Sequence, residues 1–184
     1  MNARPETQTL AEIIDWYDGI SRALALQISA ARSSSLNATN LYPRLFGMTE
    51  QELETYQDHQ LAELDRLTVF SLVASVEAEI RLDFERRIIA RLKDALSLEY
   101  RKWHGSLKNH KRRRPDFDEG GILGIMKRSG VIDAHLIGEF RECLRARHWI
   151  GHGRYFQRPA QMEKLDPYEV CSRGNHLLQS LQNH

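Results

Sequence analysis

From Thr49 to His104 the chain contains neither glycine nor proline, the two residues that most readily end a helix. Without that punctuation, and with no sustained polar/apolar alternation, the region is committed to helix rather than to strands and turns. One helix of that whole length would be unusual. The apolar stripe also changes: Leu53, Tyr56, Leu61, Leu64 and Leu67 give way to Val69, Val73, Ile80, Phe84, Ile88, Leu92 and Leu96. The expectation is two helices with a bend or break around Asp65 to Thr68. Glu77 falls on the second stripe, where a buried carboxylate needs a cationic partner. Arg81 one turn on, or an arginine from another helix, would supply it.

Helix ends are marked on both sides of this region. Thr9-Leu-Ala-Glu12 and Thr49-Glu-Gln-Glu52 have capping-box spacing, and Met48 and Leu53 stand where a hydrophobic staple belongs. A first helix starting at Thr9 carries Leu10, Ile13, Ile14, Tyr17, Ile20, Leu24 and Ile28 at helical intervals. Ser33 to Tyr42 reads as a loop, and Arg101 to Gly121 as the main break in regular structure, with a basic loop at about 105–121. A short helical turn over Leu123 to Met126 stops at Ser129-Gly130. Another helix runs from Ile132 or Asp133 to about Ile150, with Ile137, Phe140, Leu144 and then Arg147 on its inward stripe. Asp166-Pro167 is an N-cap followed by proline at the first helical position, opening a last helix over about 167–182 with Val170, Leu177, Leu178 and Leu181. The fold class is therefore all-α: one domain over residues 1–184, a bundle of four to six helices around a core that a chain of 184 residues can bury unaided.

Charge is uneven. Residues 1–100 hold 10 Lys and Arg against 16 Asp and Glu, residues 101–160 hold 14 against 6, and residues 161–184 hold 2 against 3. Five of the eight histidines fall in the basic block. A polyanion partner fits this distribution, and Lys108, Lys111, Arg112, Arg113 and Arg114 would give it sequence-independent attraction to phosphates. Cys143 and Cys171 lie in apolar patterns without metal-ligand spacing and read as small core residues in a reducing, cytoplasmic setting. The N-terminal residues lack the apolar core of a signal peptide, and no apolar run reaches the length of a membrane span.

Chemistry concentrates in Arg145-Ala-Arg147-His148-Trp149-Ile150-Gly151-His152-Gly153-Arg154-Tyr155-Phe156. Arginine offers a rigid fork of donors to phosphate, and histidine exchanges protons near neutrality. On a helix, Arg141, Arg145, His148 and His152 form a basic stripe beside the apolar one that Arg147 continues. Arg147 and His152 would diverge by about 140° on a straight helix. To meet one phosphate they need either a departure from helix at Gly151 or Gly153, or a second copy of the helix across a two-fold axis.

The stretch Arg147-His148-Trp149-Ile150-Gly151-His152-Gly153 resembles the Arg-polar-x3-His motif of the HEPN superfamily (higher eukaryotes and prokaryotes nucleotide-binding domains), set late in a helical bundle as in that family. The resemblance implies a metal-independent endoribonuclease, a toxin or phage-defence effector with a possible antitoxin or regulatory partner. It would work as a homodimer with a composite active site and no cofactor. In that frame His152 is general acid or base, Arg147 holds the scissile phosphate, His148 orients the pair, and Glu77 resembles an acidic residue that some members add from an earlier helix. Arg141, Arg145 and Arg154 would join the basic segment in binding RNA. The place two after the histidine, where some members carry a tyrosine that is adenylylated, is Arg154, and Tyr155 follows as a supporting residue only.

Other readings stay open. His148 and His152, at i and i+4, could hold zinc, although the Glu of His-Glu-x-x-His and a third ligand at ligand spacing are absent. Alternatively, Arg147 and Glu77 form a structural ion pair in a non-catalytic module that binds nucleotide or RNA, or that dimerises.

Overall fold

The computed structural model describes residues 7–33, 43–154, 157 and 165–184, and all regular structure among them is helical. Among the described residues are seven α-helices, α1 Leu10–Arg32, α2 Glu50–Ile89, α3 Ala95–Ser106, α4 Asn109–Arg113, α5 Ile122–Ser129, α6 Ala134–Gly151 and α7 Pro167–Gln182, with a 3-10 turn at Pro43–Leu45. None is long and apolar enough to cross a membrane.

Both capping boxes form. The Thr9 side chain accepts from the Glu12 amide and Glu12 accepts from the Thr9 amide, and Thr49 and Glu52 do the same at α2. In each pair the hydrogen bonds from threonine hold the glutamate's pKa below its ordinary value. Leu53 is buried and Met48 packs on the small cluster of Ile28, Leu45 and Leu53, so the staple forms too. Asp166 caps α7 with Pro167 at its start, and Gly130 ends α5 in the left-handed conformation. The loop expected over Ser33 to Tyr42 falls mostly outside the described residues.

The break expected near Asp65 does not occur. α2 runs unbroken for 40 residues, about 60 Å at 1.5 Å per residue. Its two stripes serve different neighbours. α1 lies antiparallel along it, with Arg32 Nε donating to Glu50 (2.8 Å), Tyr17 Oη to Asp65 (2.8 Å) and Ser75 Oγ to the Gln8 carbonyl (2.6 Å). The later stripe meets α6 and α7. Because both sets of partners overlap along the middle of α2, the stripe turns around the helix and the backbone need not bend. Buried Thr68 is satisfied within the helix, donating to the Leu64 carbonyl at 2.8 Å.

The chain instead turns at Ala90 to Asp94, within the stretch free of glycine and proline. Arg91 adopts φ 52°, and Leu92 N–H donates to the Arg87 carbonyl and Arg91 N–H to the Ile88 carbonyl, a Schellman closure made without glycine. Asp94 then caps α3 by accepting from the Ser97 amide. The basic segment is not the continuous loop expected over 105–121, since α3 extends to Ser106 and α4 occupies Asn109–Arg113. The turn at Ala90 to Asp94 relocates the expected break without adding a helix, so it is α4 that takes the helices among the described residues to seven, one above the expected four to six.

The main core gathers Leu72, Val73, Val76 and Ile80 of α2, Leu96 and Tyr100 of α3, Leu123 and Met126 of α5, Ile137, Phe140 and Cys143 of α6, and Leu177 and Leu181 of α7. Both cysteines are free thiols; Cys143 is buried and Cys171 partly so, and burial pushes the Cys143 thiol up to about 11. Ile20 of the α1 stripe is exposed. Arg87 is the one arginine inside the core among the described residues, with 2% of its side chain exposed. It donates to Asp83 (2.5 Å), Asp94 (2.9 Å) and the Leu181 carbonyl (3.2 Å), tying α2, the α3 cap and the end of α7 together.

Candidate functional site

Helix α6 lies antiparallel to α2, and three contacts fix the register. Arg154 just beyond α6 pairs through both terminal nitrogens with Glu63, Gly151 abuts the Phe70 ring, and Arg147 Nη1 lies 3.5 Å from Glu77 Oε2. Glu63, Phe70 and Glu77 are spaced by seven on α2, so they fall on one side of it.

Arg147 is not on the innermost line of α6. That line passes through Ile137, Phe140, Cys143, Ala146 and Trp149, leaving Leu144 and Arg147 at its edge. Arg147 keeps 37% of its side chain exposed, with its guanidinium carbon 5.4 Å from the centre of the Phe70 ring. Its Nε is buried without a hydrogen-bond partner among the described residues. The 3.5 Å separation from Glu77 is an ion-pair distance, longer than a normal hydrogen bond. The guanidinium is therefore positioned by the aromatic face and the carboxylate, and retains donors for another anion.

Glu77 has only 15% of its side chain exposed. Its closer partner is Arg81, which donates through Nε at 2.9 Å and whose Nη2 lies 2.8 Å away. Arg81 also donates from Nη1 to the Pro115 carbonyl at 3.0 Å and lies 4.8 Å above the Phe117 ring. Both sources expected for the partner of Glu77 are thus present, one on its own helix and one on α6. Two guanidiniums around one carboxylate leave a net positive charge, the right sign for a phosphate.

Through Pro115 this cluster adjoins the end of the basic segment. Lys108, Lys111, Arg112, Arg113 and Arg114 are all exposed. Lys111 Nζ donates to Asp116 at 3.0 Å, and Arg112 binds the Gly105 carbonyl. The Asp116 to Gly121 turn is compressed against α5, where Ile122 and Leu123 amides donate to the Asp116 and Phe117 carbonyls. A Cβ at Gly121 would stand 1.9 Å from the Asp116 carbonyl oxygen, and one at Gly124 would stand 1.8 Å from that of Glu119, so these glycines are required for the turn that seats Phe117 beneath Arg81.

The basic stripe of α6 divides by environment. Arg141 is mostly buried 3.5 Å from both Asp118 and Glu119, and Arg145 is exposed with Glu142 3.9 Å away. Arg154 has φ 62°, and its fork is taken up by Glu63. That pairing pulls the Glu63 carboxyl down to about 2, first through the Arg154 hydrogen bond and then through Arg66.

His148 and His152 are exposed at the end of α6, with ring centres 4.0 Å apart. Gly151 stays helical, and the His152 amide still donates to the His148 carbonyl at 3.0 Å. The backbone leaves the helix one residue later, at Gly153 with φ 77°, where the Gly153 and Arg154 amides close on the Ile150 and Trp149 carbonyls. That departure comes too late to swing His152 toward Arg147. The structure brings His148 to His152 and Arg147 to Glu77, while the helix keeps Arg147 and His152 on directions about 140° apart.

Phe70, Arg81 as an anchor of Pro115, and the Glu63–Arg154 pair were not singled out from the sequence. Spacing of seven along α2 is the one signal that could have marked Phe70. Tyr155 lies outside the described residues. Among the described residues no group of three or more histidine, cysteine, aspartate or glutamate side chains is placed to hold a metal ion. Comparison with family models, with curated proteins and with solved structures finds no match for this chain.

Proposed function

We propose that this chain is a metal-independent endoribonuclease that acts as a homodimer and serves as a toxin or phage-defence effector. The observation that carries the reading is Arg147: a guanidinium fixed by Phe70 and Glu77, with its Nε buried and without a hydrogen-bond partner among the described residues, on the same helix end as an exposed imidazole pair. Preorganised positive charge and positioned proton transfer are the two contributions that phosphodiester cleavage by an internal nucleophile requires.

In this reaction the ribose 2′-hydroxyl gives its proton to a base as its oxygen attacks phosphorus. The bond from phosphorus to the 5′-oxygen breaks, and that oxygen takes a proton. The products are a 2′,3′-cyclic phosphate and a 5′-hydroxyl. His152 is the acid or base, His148 its neighbour, and Arg147 the group that holds the phosphate. Because α6 stays helical through Gly151, the proposed site takes Arg147 from one copy and His152 from another. The exposed Lys108 to Arg114 segment, reached through Pro115 and Arg81, provides a basic approach for the RNA strand. A neutralising antitoxin or other partner belongs to the same proposal.

The Glu77–Arg147 ion pair also supports a second reading, a non-catalytic module that binds nucleotide or RNA or that dimerises. One experiment separates them. Labelled RNA and the matching DNA are incubated with protein in excess chelator, and the product ends are identified. Cyclic phosphate ends from RNA, with DNA untouched, are expected; RNA that binds but stays intact would leave the second reading.

A further inference from the structure

We propose that His148 and His152 form a two-imidazole site for a divalent transition ion of the Cu2+, Ni2+ and Zn2+ class, and that occupancy switches off the proposed cleavage. The site itself rests on geometry alone. The two residues are one turn apart on an unbroken helix, joined by the hydrogen bond from the His152 amide to the His148 carbonyl, and their rings are already within 4.0 Å. Binding would require each ring to turn a nitrogen to about 2.0–2.1 Å from the ion. The helix preorganises the chelate, so little backbone order has to be gained on binding.

Charge around the pair permits a cation. The C-terminal end of α6 presents the negative end of the helix dipole. Of the described arginines near the pair, Arg154 is bound to Glu63 and Arg147 is accompanied by Glu77, leaving Arg145, 3.9 Å from Glu142, as the most exposed of the three. Imidazole suits Cu2+, Ni2+ and Zn2+, whereas Mg2+ and Ca2+ prefer oxygen ligands. Among the described residues no third histidine, cysteine, aspartate or glutamate stands with the pair, so the two imidazoles are the chelate proposed.

The inhibitory consequence rests on the ribonuclease reading. A nitrogen lone pair donated to a metal cannot take the 2′-hydroxyl proton, so the ion and the catalytic proton compete for His152. The enzyme would be active when such ions are scarce and silent when they are supplied.

The test uses full-length, tag-free protein titrated with Zn2+ alone in a calorimeter, with Mg2+ as the control ion. One Zn2+ per chain is expected, with no Mg2+ signal. His148→Ala and His152→Ala should each abolish that isotherm while leaving helix content intact. His135→Ala, which removes the other i,i+4 pair on α6, with Glu139 at 3.6 Å, should leave it unchanged. Absence of Zn2+ binding to the wild type, or binding that survives both His148→Ala and His152→Ala, overturns the site. In a parallel assay, Zn2+ near its measured Kd should halve RNA cleavage and excess chelator should restore it; undiminished cleavage by Zn2+-saturated protein overturns the switch. If Zn2+ binds as expected and chelated protein cleaves no RNA, the ribonuclease reading fails and the metal site stands.

Discussion

The Arg147 guanidinium on α6 lies 5.4 Å from the centre of the Phe70 ring on α2. The same ring faces the helix at Gly151, where an added Cβ would stand 3.1 Å from it. Phe70 therefore sets both how closely α6 approaches α2 and where the arginine fork rests. Replacing it with leucine keeps apolar bulk but removes the aromatic face, a contribution of about 1 kcal/mol. Phe70→Leu should lower the RNA cleavage rate several-fold while far-UV circular dichroism stays unchanged. A wild-type rate would show that the ring does not position Arg147.

The Glu63–Arg154 pair locks the chain just beyond α6 to α2. Glu63 has its carboxyl pulled to about 2, against an ordinary value of 4.5. A depressed folded-state pKa contributes stability that is present above the unfolded value and lost as pH falls toward the folded one. The melting temperature should therefore drop between about pH 4.5 and pH 2 by more in the wild type than in Glu63→Gln, which already lacks the charge at neutral pH. Parallel pH profiles for the two proteins would exclude this contribution.

Two glycines should respond to alanine in opposite directions. Gly174 on α7 is buried against α2 and α1, and a Cβ there would stand 2.7 Å from Val76 Cγ2 and 3.3 Å from Leu10 Cδ1. Gly174→Ala should destabilise by about 1–3 kcal/mol through overpacking. Gly138 on α6 is exposed, with nothing within 4 Å of its would-be Cβ. Gly138→Ala should stabilise by about 0.5–1 kcal/mol, because alanine loses less entropy in a helix. Urea unfolding of both variants checks the pair, and a gain from Gly174→Ala would contradict the close α2–α7 packing.

Arg87 joins three elements from inside the core. Arg87→Ala leaves Asp83 and Asp94 without their buried partner, and the loss of one member of such a network costs about 3–5 kcal/mol. A cooperative unfolding transition shifted by that amount is expected; a change below about 1 kcal/mol would mean that Asp83 and Asp94 are already hydrated.

The locally coded parts of the fold were legible in the sequence. Both capping boxes, the Asp166-Pro167 start and the Gly130 stop depend on residues three or four apart, and each forms. Continuity of α2 was not legible, because the shift of its apolar stripe reflects which neighbour covers each turn. The turn at Arg91 was missed because a non-glycine residue takes the left-handed conformation there. At the candidate site, the i,i+4 contact of Glu77 with Arg81 and the pairing of His148 with His152 follow from helical spacing. The Phe70–Arg147 and Glu63–Arg154 contacts depend on the antiparallel register of two helices far apart in the chain, which no local pattern encodes.

The most direct test of the proposed activity is the rate of RNA cleavage in excess chelator by wild type, Arg147→Ala and His152→Ala. Each substitution should lower the rate by about 10^2-fold or more, since each removes a charge-stabilising or proton-transferring group, with the helical spectrum of the wild type retained. Cleavage at the wild-type rate by either variant would contradict the assignment of that residue to the chemistry.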